Sequence, residues 1–367
     1  MKTYCKDVDI LSREHLERAY EAFRRSPRKK TERFEAFFAR PREEVLAEAW
    51  NMVYRRRLDL EPIRTFERIE PTNGKVRVIG QESPMQQLLD YVACEALQPL
   101  LDAKVGYHQC ASVKGKGQAH AVRYVKRWVR SPDCRYWAKL DVKKYYPSID
   151  RSVLMAMLRR DVRNEPLLWL VEALISTHTH DSGLSIGSLL SQRLANYYLA
   201  GAYRHVHGLA KERRGKRVQL VGHVLTYMDD WLLTGPDKRN LKMAVRKLVK
   251  YMRDVLHLEV KGWKVSLMDA EPIDLVGFRF WRNKVTLRPA VFLRARRAYK
   301  RARQAKRPTR RQAARCVAYW GYYKASDIRG FVRRNKIKET FDLCRDVVSQ
   351  HAIERKWNEE NLQRVAA

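Results

Sequence analysis

The chain has 367 residues, of which 75 are Lys or Arg and 41 are Asp or Glu, giving a formal charge of +34 at pH 7. A hydrophobic share of 45% with 10% aromatics excludes a disordered chain, which lacks the apolar area needed to offset conformational entropy. No apolar run approaches the ~18 residues needed to span a bilayer. Residues 1–60 read as helical, with Pro41 at a first helical position and Glu43 and Glu44 at the positive end of the dipole. FERIE and KVRVIG flank Pro71-Thr72-Asn73-Gly74, a hairpin pattern. Ser83-Pro84 opens a helix, and YWAKLDV at 136–142 has the pattern of a buried strand. Helices are expected from Asp150 and over 165–176, then a glycine-containing loop feeding a helix within 183–203. VQLVGHVLTYMDDWLLTG at 218–235 reads as two β runs around an acidic turn. A helix over 237–256 and the β segments LEVKGWKVSL and IDLVGFRFW follow, and the chain is helical from Val291 on. The stripe Val291, Phe292, Ala295, Ala298, Tyr299 and Ala302 is apolar, with basic residues at nearly every other position.

The start, MKTYCKDVDI, has no apolar segment of a secretion signal. Cys5, Cys94, Cys110, Cys134, Cys316 and Cys344 are scattered without a CxxC pair. Neither a zinc module nor a disulfide framework is indicated, and a cytoplasmic location is expected. A folded chain with a pI near 10.2 points to a polyanion, most simply nucleic acid, since each cation placed at a phosphate releases condensed counterions. From Arg282 to Arg315 there are fourteen Lys or Arg and no acid, whereas a surface charged for solubility mixes signs.

Two acidic positions stand at strand ends. Asp141 closes an apolar strand, and Asp229-Asp230 occupy the turn between LVGHVLT and WLLTG. An Asp-Asp pair also suits a plain hairpin turn, but a second strand-end Asp precedes this one. Pairing the two strands would gather the carboxylates, and a hard divalent cation relieves their repulsion. Mg²⁺ takes oxygen ligands and keeps room for substrate phosphates. Two such ions about 3.5–4 Å apart stabilise the attacking and leaving oxygens of phosphoryl transfer.

Over roughly 65–285 the sequence resembles the reverse transcriptases, with motifs in family order. KLDVKKYYPSID is similar to the segment bearing the first catalytic Asp, and GLSIGSLLSQRLANYYL to the template and nucleotide loop and helix. LTYMDDWLLTG is similar to the catalytic hairpin, and LEVKGWKVSL and IDLVGFRFW to the next two palm motifs. The resemblance implies an α/β (α+β) right-hand polymerase: a helical extension at 1–60, fingers at 61–135, and a palm with an antiparallel sheet at 136–285. A fingers insertion falls around 150–185, and a basic helical thumb and tail at 286–367. It implies that Asp141 and Asp229, with the Val142 carbonyl, hold two Mg²⁺ ions, and that Asp230 completes the acidic centre. Arg77, with Lys75 nearby, matches the fingers group that grips the triphosphate, for which a guanidinium fork is suited. Lys264 sits where a lysine protonates the departing pyrophosphate, with Lys261 competing for the position. Arg294, Arg297, Lys300 and Arg301 lie on the helix that would hold the template–primer. The implied partners are template RNA, the RNA–DNA duplex and dNTPs, with no membrane. Tyr146, five residues past Asp141, puts a ring where RNA-making polymerases carry a short acidic residue; it would collide with a ribose 2′-OH.

At 185–192 the chain has Ser185-Ile186-Gly187 and Ser191-Gln192, where many relatives of group II introns show Pro-Gln-Gly. This string is similar to the reverse transcriptases of diversity-generating retroelements, which misincorporate opposite template adenines; the cDNA then replaces a variable region of a target gene. Ile186 offers shape but no directional bond, and apolar fit discriminates less than hydrogen bonding. Here the resemblance further implies a basic accessory protein that forms a ring. A retron, CRISPR-associated or group II intron-type enzyme, a non-catalytic RNA-binding scaffold and an RNA-synthesising polymerase stay open. His178, His180, His205 and His207 lack partners at ligand spacing and are expected at the surface or at helix ends.

Overall fold

The computed structural model describes residues 2–26, 32–69, 74, 76–178, 182–305 and 307–365. Helix and strand mix throughout, in two compact units: residues 1–117 with 138–265, and residues 118–137 with 266–367. In chain order, helices α1 (Arg13–Arg24), α2 (Glu32–Ala39) and α3 (Arg42–Tyr54) precede an antiparallel hairpin, β1 (Arg64–Ile69) with β2 (Val76–Gln81), and the long α4 (Pro84–Lys104). Helix α5 (Gln118–Trp128) belongs to the second unit. Then come β3 (Tyr136–Asp141), α6 (Tyr145–Ser148), α7 (Arg151–Asp161), α8 (Glu165–Ser176) and α9 (Leu189–His207). The hairpins β4 (Ala210–Arg213) with β5 (Lys216–Gln219) and β6 (His223–Tyr227) with β7 (Asp230–Gly235) follow, then α10 (Lys238–Leu256) and β8 (Lys264–Leu267). The second unit continues with β9 (Ile273–Leu275), β10 (Phe278–Phe280), β11 (Val285–Leu287), α11 (Pro289–Gln304), α12 (Arg310–Ala325), α13 (Arg329–Arg334) and α14 (Ile337–Val365).

Short polar side chains start the helices where the sequence places them. Ser83 accepts from the Gln86 amide at 3.2 Å, Asp150 from Ser152 at 2.9 Å, Ser188 from Ser191 at 3.0 Å and Asp237 from Asn240 at 2.7 Å, each satisfying an amide that the helix itself leaves unpaired. Helix α4 is buried on nearly every side and packs against α1 and α9, so it is the axle of the first unit. Leu241, Ala244, Val245, Leu248, Met252 and Leu256 make the buried stripe of α10, which lies on α9 and β7. The four-stranded sheet runs β6-β7-β3-β8. It brings Asp141, at the end of β3, beside the β6–β7 hairpin.

Three differences from the sequence reading have physical causes. The run at 218–221 does not continue into the catalytic hairpin; β5 turns back on β4 through Arg214 (φ 51°) and Gly215 (φ 68°). LEVKGWKVSL is a strand only from Lys264, because residues 259–261 are engaged alongside 141–143: Lys143 donates to the Glu259 carbonyl and Lys261 to the Asp141 carbonyl, both at 2.9 Å. Strands β9–β11 form their own sheet and belong with the C-terminal helices, where Phe278 stacks on Tyr322 at 5.3 Å. Among the described residues no helix is long and apolar enough to cross a membrane.

Candidate active site

The acidic centre is built on a two-residue turn. Tyr227 pairs with Asp230, leaving Met228 and Asp229 as the loop. Met228 adopts φ 57°, a left-handed conformation that costs a side-chain-bearing residue roughly 1 kcal/mol, and the strain turns Asp229 past the strand end. The Asp229 carbonyl accepts from the Val142 amide at 3.1 Å, which fixes the turn to the residue after Asp141. Burial first, then the charges of Asp230 and Asp141, push the Asp229 carboxyl up from the ordinary range to about 6, against the pull of Arg77. Tyr146 is also shifted upward, by burial and then by the Asp229 charge, with Arg77 opposing. Asp141, Asp230, Tyr146 and Arg77 are therefore all within electrostatic reach of Asp229.

Two lysines already answer part of this charge. Lys139 meets Asp230 at 2.9 Å, and Lys261 pairs with Asp141. Lys139 was legible as a neighbour, since residues two apart on a strand share a face. Lys261, the alternative to Lys264, pairs with Asp141, and Lys264 is exposed at the start of β8. Among the described residues no three His, Cys, Asp or Glu side chains are gathered as a metal cage, and the two lysine pairs draw Asp141 and Asp230 aside. The donor chemistry nonetheless fits a hard cation. Asp229 has no ion-pair partner among the described residues, and burial, then the negative charge of Asp230 and Asp141, makes its ionised form costly. A divalent ion supplies the positive charge that the two lysines now supply in part.

The hairpin carrying Arg77 docks on the 185–187 loop. The Gly80 amide donates to the Ile186 carbonyl at 3.0 Å. A Cβ on Gly187 (φ 134°) would stand 2.4 Å from the Gly80 carbonyl oxygen, and one on Gly80 2.3 Å from Ser185 Oγ. At Gly187 the contact is backbone on backbone, and at Gly80 the obstacle is the Ser185 side chain. Ile186 is half-buried, and Gln192, in the first turn of α9, accepts from the Ser112 hydroxyl at 2.9 Å. Lys75 lies outside the described residues, as do Pro71 to Asn73 of the hairpin turn.

Sequence reading missed what holds this loop. Asp90 on α4 is 1% exposed; it accepts from the Ser188 hydroxyl at 2.7 Å and the Leu190 amide at 3.1 Å. Burial raises its carboxyl to about 6, against the pull of its hydrogen bonds. No local pattern announces a cap supplied from 98 residues away. Asp90→Asn should lower stability by about 1–2 kcal/mol and raise the KM for dNTP several-fold with a smaller loss in kcat, measured by thermal denaturation and steady-state extension. His178 stands just past the end of α8, a helix-end position as expected; it is half-buried, lines a cavity of about 470 Å³ with Ile63, Val78, Arg151 and Ile186, and burial pushes it down to about 4. His180 lies outside the described residues.

In the second unit, Val291, Ala295, Tyr299 and Ala302 are the buried face of α11, with Phe292 and Ala298 half-buried beside it. Arg297, Lys300 and Arg301 are exposed and Arg294 is half-buried. A family model described as reverse transcriptase (RNA-dependent DNA polymerase) matches residues 69–280, more than half of the chain. No curated protein matches it.

Proposed function

The chain belongs to the reverse transcriptase family and is an RNA-directed DNA polymerase, a nucleotidyltransferase that takes template RNA and dNTPs; from that premise we propose that it is the polymerase of a diversity-generating retroelement, error-prone at template adenines. The observation that carries this reading is the string Ile186-Gly187 followed by Ser191-Gln192. Ile186 closes the loop with an aliphatic side chain and no hydrogen-bonding group, held against the Arg77 hairpin through the Gly80–Ile186 bond. A pocket of this kind checks shape and forgives a wrong partner that fits.

In this reading the chain is a right hand, with fingers at 61–135, palm at 136–285 and thumb at 286–367. Asp141 and Asp229, with the Val142 carbonyl, hold two Mg²⁺ ions, and Asp230 completes the centre. When bound, the ions supply Lewis-acid stabilisation of the attacking and leaving oxygens. The chain's residues do the rest: Arg77 and Lys75 orient the triphosphate, Tyr146 screens the sugar and Lys264, with Lys261 as the alternative, protonates the departing pyrophosphate. Arg294, Arg297, Lys300 and Arg301 grip the duplex backbone through charge. Reaction with the primer 3′-OH extends cDNA, which replaces a variable region of a target gene with the help of a ring-forming basic accessory protein. The enzyme works in the cytoplasm of a bacterium or for its phage.

Sequencing of cDNA made on a defined RNA tests the subtype. The wild type should concentrate its errors opposite adenine, and Ile186→Gln should cut that error rate by about ten-fold, the scale of one added directional contact. A flat error spectrum, or one unmoved by Ile186→Gln, would leave a retron, CRISPR-associated or intron-type enzyme as the better reading.

A further inference from the structure

The second unit holds a cavity of about 390 Å³ where the end of α12, α13 and the start of α14 meet. Its apolar part is Trp320, Tyr323 and Val332. Trp320 is held by stacking on Phe341 at 4.7 Å. Tyr323 is 2% exposed, and its hydroxyl has no hydrogen-bond partner among the described residues. Around these stand the exposed cations Lys324, Arg329, Arg333 and Lys336, none with an ion-pair partner among the described residues. The acids nearby are largely spent: Asp327 takes Lys126 at 3.0 Å with one oxygen and the Val285 amide at 2.8 Å with the other. Among the described residues that line the cavity, Glu339 is the acid left to oppose the cluster. Lys336 is at φ 46°, the position after a helix where glycine is the ordinary occupant. A lysine there keeps a cation at the wall at the expense of backbone strain.

We infer that this cavity takes one unpaired nucleotide extruded from the folded part of the template RNA. Four cations against the single carboxylate of Glu339 select phosphate, and the half-buried Trp320 and Val332 offer an aromatic and apolar wall to a base face. The volume suits one nucleotide, and a continuous duplex is too wide to enter. The site thus anchors the template outside the stretch being copied, apart from the basic face of α11. This inference rests on membership of the RNA-copying family and not on the retroelement subtype.

The test uses the full chain and two short RNA hairpins, identical except that one carries a single-nucleotide bulge. The wild type should bind the bulged RNA about ten-fold more tightly, the scale of one stacked base. Lys336→Gly, which suits its backbone and should keep or raise the melting temperature, should abolish most of that preference. Lys324→Gln/Arg333→Gln should do the same and lower the salt slope of bulged-RNA binding by about 0.7 per lost contact. Extension of a primer on an unstructured RNA should stay within about two-fold of wild type in every variant, which separates failure here from failure of the polymerase assignment. Equal binding of the two hairpins, or a preference that survives both variants, would overturn the inference.

Discussion

Asp229→Asn should leave a protein that is more stable at neutral pH and unable to extend a primer. The Asp229 carboxyl stands at about 6 in the fold against 3.8 for an ordinary Asp. Between those values the folded chain keeps a proton that the unfolded chain has released, so stability falls as pH rises from about 4 to about 6 and the full cost persists above. A two-unit shift corresponds to about 3 kcal/mol, and a neutral amide removes both the desolvation and the repulsion from Asp230 and Asp141. Denaturant melts in EDTA at pH 8 should show the gain, and melts at pH 4 should show almost none. Extension should fall by about 10³-fold or more, the scale of losing a charge-stabilising group at a reacting centre. A variant that is less stable at pH 8 than wild type would contradict the buried, repelled carboxylate.

The second large effect concerns the sugar. Tyr146 is half-buried, within electrostatic reach of the Asp229 carboxyl and of Arg77, and it follows the buried Tyr145, whose hydroxyl donates to the Ala195 carbonyl at 2.5 Å. That bond anchors the short helix α6, and with it the backbone that carries Tyr146. Tyr146→Ala should therefore raise kcat/KM for NTPs by about 100-fold relative to dNTPs, the order of discrimination that a steric contact supplies. Competition extension with mixed rNTP and dNTP pools, read by alkaline cleavage of the product, measures it. An unchanged sugar preference would show that another group makes the selection.

The parts of this site that were legible in the sequence are those whose chemistry is local. Asp141 stood out because a carboxylate ends an apolar strand, and Asp229-Asp230 because an acidic pair interrupts two apolar runs. The helix starts at Ser83, Asp150 and Ser188 were likewise written in short-range capping. The β4–β5 hairpin had a signal too, Arg214-Gly215 between alternating charged residues, but it was absorbed into the β run that follows. What stayed hidden depends on long-range contact. Asp90 caps α9 from another helix, Lys261 reaches Asp141 only because residues 259–261 lie alongside 141–143, and His178 is covered by a cavity wall assembled from the 64–81 hairpin and the 182–186 loop. The grouping of β9–β11 with the C-terminal helices follows from side-chain packing such as Phe278 on Tyr322, which no spacing rule conveys.

Single-dNTP addition to a primer annealed on RNA, run with wild type and Asp141→Asn at pH 8 across a Mg²⁺ titration, bears most directly on the convergence of Asp141 with the Met228–Asp229 turn. The wild type should add the complementary dNTP with saturable Mg²⁺ dependence and stop in EDTA, while Asp141→Asn, folded by circular dichroism, should add none at any concentration. Addition by Asp141→Asn at the wild-type rate, or wild-type addition that ignores Mg²⁺, would contradict it.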